Sequence, residues 1–133
     1  MAPRLTLDAS FLIDLQREYR SGRAGPASRF MAAEGTNDLA LSAVAFAEVA
    51  EGCRETTDPF LDLIRSTLSL LPVDELVALE YARIARPLRA LGTLPGANDL
   101  WIAAVALRHG LPLVTRDITH FERIPGLELV RYR

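Results

Sequence analysis

Short apolar runs closed by a polar or turn-forming residue alternate along the chain with longer segments whose apolar positions recur every three or four residues. Leu5-Thr6-Leu7 predicts a first strand, with Asp8 at its end. Ser10 is placed to cap the helix that follows, whose apolar face carries Phe11, Leu12 and Leu15. A short helix is expected from Ala27 to Glu34, after the breaks at Ser21-Gly22 and Gly25-Pro26. Leu39-Ala40-Leu41 predicts a second strand, and Ser42 an N-cap for the helix Ala43 to Cys53. A helix from Pro59 to about Leu68, a strand near Leu70-Leu71 and a long helix opening at Asp74 come next. In that helix Val77, Tyr81, Ile84, Leu88 and Leu91 form one apolar stripe, which Pro87 should kink or interrupt. The helix Ala97 to His109 ends on Gly110, suited to a left-handed cap. Strands at Leu113-Val114 and Leu127 to Val130 flank a turn or short helix over Ile118 to Phe121.

Strands this short, with little polar alternation and helices between them, predict a parallel sheet covered on both faces. The chain has 133 residues, half of them apolar, which is enough for one domain with its own core. No repeat or linker divides it.

Charge changes the picture modestly. Fifteen basic residues face seventeen acidic ones, a net of −2, which excludes attachment to nucleic acid by bulk positive charge. Every basic residue is arginine, so chemistry that needs a lysine, such as a phosphate-binding P-loop or a Schiff base, is excluded. The single cysteine, Cys53, forms no internal disulfide, and its neighbours Glu51 and Glu55 disfavour a thiolate. The apolar run near the N-terminus is too short for a signal-peptide core, and no stretch reads as a membrane span. A cytoplasmic location is expected.

The acids carry the candidate chemistry. Asp8 and Asp117 each follow an apolar strand, so a parallel sheet brings both to one rim. Glu48 interrupts the apolar helical segment Ala43 to Ala50, and Asp99 lies in the first turn of another apolar helix. Carboxylates gathered in one cleft repel unless a divalent cation neutralises them. An all-oxygen set favours Mg²⁺ or Mn²⁺. Each acid also has a plainer reading: Asp8 as an N-cap, Glu48 as a solvated side chain with Glu51 as rival, Asp99 as a first-turn charge, Asp117 as a turn residue. Ser10 and Thr115 are placed to orient carboxylates, Asn98 to support them or cap its helix, and Arg116 to contact phosphate. His120 reads as a structural turn residue, and Trp101 and Phe121 as core aromatics.

Several segments together resemble a known family. They are Leu7-Asp8-Ala9-Ser10 before an apolar helix, and Ser42-Ala43-Val44 with Glu48-Val49 and Gly52. The C-terminal third adds Asn98 to Ala104, Gly110 to Asp117 and His120 to Leu127. In order and spacing these are similar to PIN domains, and within them to VapC-type toxins of toxin-antitoxin pairs. The resemblance implies a single PIN domain over residues 1–133, a three-layer α/β/α fold around a five-stranded parallel sheet of order 3-2-1-4-5. It implies a metal-dependent endoribonuclease with Asp8, Glu48, Asp99 and Asp117 as catalytic and metal-binding acids, and Thr115 as the hydroxyl before the fourth. It further implies a homodimer inhibited by a small VapB-type antitoxin. Hydrolysis of RNA would leave a 5′-phosphate and a 3′-hydroxyl. Pro87 and the lack of lysine lie outside the family pattern.

Two other readings compete. One is a catalytically inactive module of the same fold that binds RNA or protein. The other is a phosphatase of the haloacid-dehalogenase type. That chemistry needs a paired Asp-x-Asp after the first strand and a lysine, whereas this chain has Asp8-Ala9-Ser10 and no lysine.

Overall fold

The computed structural model describes residues 3–35 and 38–133. Its elements run β1 (Leu5–Leu7), α1 (Ala9–Ser21), α2 (Pro26–Glu34), β2 (Leu39–Ser42), α3 (Ala43–Glu51), α4 (Pro59–Thr67), β3 (Ser69–Leu71), α5 (Glu75–Ala90), α6 (Ala97–His109), β4 (Leu113–Val114), α7 (Ile118–Phe121) and β5 (Leu129–Val130). The five strands form one sheet of order β3-β2-β1-β4-β5, every neighbouring pair parallel. Helices cover both faces, so the architecture is the expected α/β/α sandwich with strand order 3-2-1-4-5. β1, β2 and β4 are buried along their whole length, because helices above and below leave no solvated face. Leu7, Phe11, Leu12, Leu41, Leu100, Ile102, Val114 and Phe121 fill the core around them.

Helix ends follow local chemistry. The Ser42 hydroxyl accepts a hydrogen bond from the Ala45 amide at 3.0 Å, capping α3 where β2 ends. Ser42→Ala should therefore lower stability by about 1 kcal/mol. Urea unfolding measures this directly, and an unchanged midpoint would show that the cap contributes nothing. α2 starts on Pro26 rather than Ala27, a position where the missing amide proton costs no helical bond. Its free amides are satisfied from α1, for the Glu18 carboxylate accepts from Gly25, Ala27 and Ser28. The left-handed turn at Gly110 (φ 64°) ends α6 as expected.

Three expectations need correction. Asp8, not Ser10, holds the N-cap position of α1, and Ser10 lies inside the first turn. Pro87 does not interrupt α5, which continues to Ala90. Pro87 lies exposed in the last turn, near the helix end, where one missing backbone bond does not stop the helix. The apolar stripe of α5 also stops short: Val77, Ile84 and Leu88 are buried, but Leu91 is 75% exposed because the helix has already ended. Tyr81 continues the stripe by stacking on Trp101, ring centroids 4.0 Å apart. Phe121 is fully buried and Trp101 partly so.

Candidate active site

The register of the sheet determines what meets at its rim. Leu7 pairs with Leu41 on one side and Val114 on the other. The residues that follow, Asp8 and Thr115, therefore leave adjacent strands side by side. β1 and β4 also flank the point where successive crossovers change direction along the sheet, and there a crevice opens at the strands' C-terminal ends.

Asp8 is buried, and although it occupies the N-cap position its side chain makes no capping bond. Its Oδ2 instead accepts from the hydroxyls of Ser10 and Thr115, each at 2.8 Å. Both hydroxyls are oriented by backbone amides: Arg116 donates to Ser10 Oγ at 3.1 Å, and Asp117 to Thr115 Oγ1 at 2.9 Å. With their lone pairs engaged by these amides, the hydroxyl protons turn toward the carboxylate. One oxygen of Asp8 is thus held from two sides, and Oδ1 makes no hydrogen bond among the described residues.

Glu48 and Asp99 approach from α3 and α6, which pack on each other. Burial pushes the Glu48 carboxyl above the ordinary carboxylate range, and the charges of Asp8, Asp99 and Glu51 push it further. Burial likewise raises Asp99, reinforced by Asp8 and Asp117 and opposed by His120. Asp8, Glu48 and Asp99 thus lie within electrostatic reach of one another, and Asp117 within reach of Asp99. Glu48 Oε1 is buried with no hydrogen-bond partner among the described residues. Its rival Glu51 is exposed. Asn98 is exposed as well, beside Glu48 and Glu51, while Gly96 rather than Asn98 takes the N-cap of α6.

The donor chemistry fits a hard divalent cation. All four groups are carboxylates, and a buried, unpartnered carboxylate oxygen among like charges is costly unless a cation reaches it. Among the described residues, no three such side chains stand close enough to enclose an ion as they are.

Two features went unrecognised in the sequence. His120, read as a structural residue, brings Nδ1 to 3.4 Å from Asp99 Oδ2 across a small polar pocket that Arg123 also lines. Arg116, read as a free phosphate contact, donates from Nη1 to Asp14 at 2.9 Å and lies with Nε 3.6 Å from Asp117. Asp14, which the sequence pattern does not single out, is buried on α1. Cys53 is half-buried between Gln16 and the Val49 carbonyl, as an inert thiol would be. An apolar cavity of about 430 Å³ between α1, α2 and α4, lined by Leu15, Met31, Phe60 and Ile64 among others, contains none of the four acids.

The chain is similar to known proteins over nearly its whole length. The profile of the PIN domain family matches residues 5–127. Ribonuclease VapC1 of Rickettsia felis is 35% identical over 71 residues, 53% of each chain, so the matched segment spans about half of that relative. The tRNA(fMet)-specific endonuclease VapC of Salmonella typhimurium is 30% identical over 99 residues, 71% of this chain and 75% of that one. Among solved structures, the DNA-bound VapBC of Salmonella typhimurium superposes with a TM-score of 0.82 at 24% identity, covering 98% of this chain and 99% of its counterpart. With a family profile that spans residues 5–127 and the strand order of that fold, this chain belongs to the PIN domain family and is similar within it to the VapC ribonucleases.

Proposed function

We propose that this protein is a metal-dependent endoribonuclease, the toxin of a VapBC-type toxin-antitoxin pair. The observation that carries the reading is the buried, unpartnered Oε1 of Glu48, on a carboxylate whose titration burial and the charges of Asp8 and Asp99 raise. A structural carboxylate would be expected to have found a donor. The name of the Salmonella relative points to transfer RNA as the substrate class. The inactive-module reading is less favoured, because all four acidic positions are filled and no arginine of this chain closes on Glu48.

Asp8, Asp99 and Asp117 would hold the principal ion, with Glu48 completing the set. A bound Mg²⁺ or Mn²⁺ would supply an activated water and neutralise charge developing on the phosphoryl oxygens. Ser10 and Thr115 hold Asp8 in one orientation, so its free oxygen has a defined direction. Asn98 borders the acids beside Glu48 and would assist there. Arg116 would contact the RNA backbone. A VapB-type antitoxin and a second copy of the chain are the proposed partners. No helix among the described residues is long and apolar enough to cross a membrane.

The test uses purified, antitoxin-free protein with transfer RNAs and Mg²⁺ or Mn²⁺, followed by mapping of the new ends. Cleavage leaving 5′-phosphate and 3′-hydroxyl termini is expected, since water attacks and no histidine pair is present for a cyclising route. Intact RNA with either ion, or 2′,3′-cyclic phosphate ends, would overturn the reading.

A further inference from the structure

Asp14 binds more cationic groups than a buried carboxylate needs. It lies one helical turn beyond Ser10, on the same face of α1. Its side chain is 5% exposed. Oδ2 already accepts from the Tyr132 hydroxyl and, at 2.9 Å, from Arg133 Nη1. Oδ1 accepts separately from Arg116 Nη1 at 2.9 Å, with Arg17 at 3.6 Å on the rim. Burial alone would raise the Asp14 carboxyl. The bonds from Tyr132 and Arg133 and the charges of Arg116 and Arg133 outweigh it, and the group stays below the ordinary range, fully ionised.

Arg116 is consequently fixed at both ends. Its amide donates to Ser10 and its guanidinium to Asp14, two residues of one helix face. Without Asp14 the guanidinium would be drawn onto Asp117, 3.6 Å from its Nε, and occupy a carboxylate that the site needs. With Asp14 it stays beside the acids, its side chain one-third exposed and Nη2 without a partner among the described residues. Asp14 is shared by Arg116 and Arg133, so it does not use up all the donors of either guanidinium.

We propose that Asp14 is a positioning residue for substrate: it holds Arg116 so that the unpaired Nη2 of the guanidinium meets an RNA backbone phosphate next to the carboxylate site. The inference rests on the nuclease reading above and adds a residue that composition and spacing do not single out. A planar guanidinium has donors in fixed, separate directions, so Nη1 can pair with Asp14 while Nη2 meets an anion, whereas an ammonium is a point charge without that fixed fork.

The experiment measures binding of a fluorescein-labelled single-stranded RNA in EDTA by anisotropy, and steady-state cleavage with Mg²⁺. Asp14→Asn and Arg116→Gln should each weaken binding and raise KM on the order of tenfold, as loss of one charge-assisted contact does. Asp14→Asn should lower the turnover number as well, because the released guanidinium then crowds Asp117. The double variant should be no worse than Arg116→Gln alone, because the two act as one unit. Arg116→Lys, which keeps the charge and loses the separate Nη2 donor, should weaken binding as Arg116→Gln does, and it covers the case in which Asp14→Asn fails to fold. Tyr132→Phe, which removes another partner of Asp14, should leave RNA binding unchanged. The proposal is overturned by additive losses in the double variant, by Arg116→Lys binding as the parent does, or by Asp14→Asn lowering only the unfolding midpoint. Failure of the nuclease reading would look different: no cleavage by the parent protein, or Asp8→Asn as active as the parent. The anisotropy measurement decides the role of Asp14 in either case.

Discussion

Asp8→Asn is expected to cut RNA on the order of a thousandfold more slowly than the parent protein while folding at least as stably, since a metal-held charge is worth several kcal/mol in the transition state. Asparagine has the shape of aspartate, so its carbonyl oxygen can still accept from Ser10 and Thr115 at the position Oδ2 holds. What it loses is the charge on the oxygen facing the cleft, replaced there by an amide that donates and cannot bind a cation. The same change removes a negative charge that acts on both Glu48 and Asp99. Activity and stability should therefore move in opposite directions. Initial rates on a defined RNA and a thermal melt in EDTA measure the two. A variant that keeps a tenth or more of the parent rate would show that Asp8 is not a metal ligand. One that loses activity together with its fold would show that Asp8 is a structural residue.

The acids were legible in the sequence because their positions depend on local pattern. Leu5-Thr6-Leu7 and Leu113-Val114 are too apolar to lie anywhere but inside a covered sheet, so Asp8 and Asp117 had to emerge at an edge. Glu48 was legible for the opposite reason, as a charge in an apolar helix with no neighbour in sequence to neutralise it. Parallel strands followed from run lengths, whereas their order came with the family resemblance and was not derivable from spacing. Asp14 was not legible, for its partners lie 102 to 119 residues away and Asp-x-x-Arg is the spacing of countless surface helix pairs. His120 escaped for the same reason: only the packing of α7 on α6 brings it to Asp99. The register linking Leu7 to Val114 explains why Thr115 orients Asp8, and no sequence pattern encodes a register across a hundred residues. Leu91 shows the converse error, since a periodic pattern can run past the end of the helix that carries it.

Without a divalent ion, the carboxylate site should cost the protein stability increasingly as pH rises. Glu48 and Asp99 are both raised above their ordinary values, first by burial and then by neighbouring charge, chiefly that of Asp8. The folded state therefore holds their protons more tightly than the unfolded chain does, and in that window stability falls with increasing pH. The contribution is fully present below the ordinary carboxylate range, and it is lost as pH climbs through the raised folded values. Asp14 works in the other direction: its lowered value stabilises above the ordinary range and is lost in acid. The difference between the parent and Glu48→Gln isolates the site from that opposing trend. Glu48→Gln should melt higher than the parent in EDTA at neutral pH, and the gap should close toward pH 4. Mg²⁺ or Mn²⁺ binds the ionised acids, so its effect should grow with pH. An ion at a hundred times its Kd adds about 2.7 kcal/mol, on the order of 8 °C for a chain of this size. In Glu48→Gln that rise should shrink, and in Asp99→Asn it should shrink further, because the ion loses a charged ligand in each case. Melting curves of the three proteins with and without ion, between pH 4 and pH 8, decide the matter. A parent protein whose midpoint ignores both ions at every pH, or a Glu48→Gln gap that does not depend on pH, would show that these acids neither strain the fold nor hold a cation.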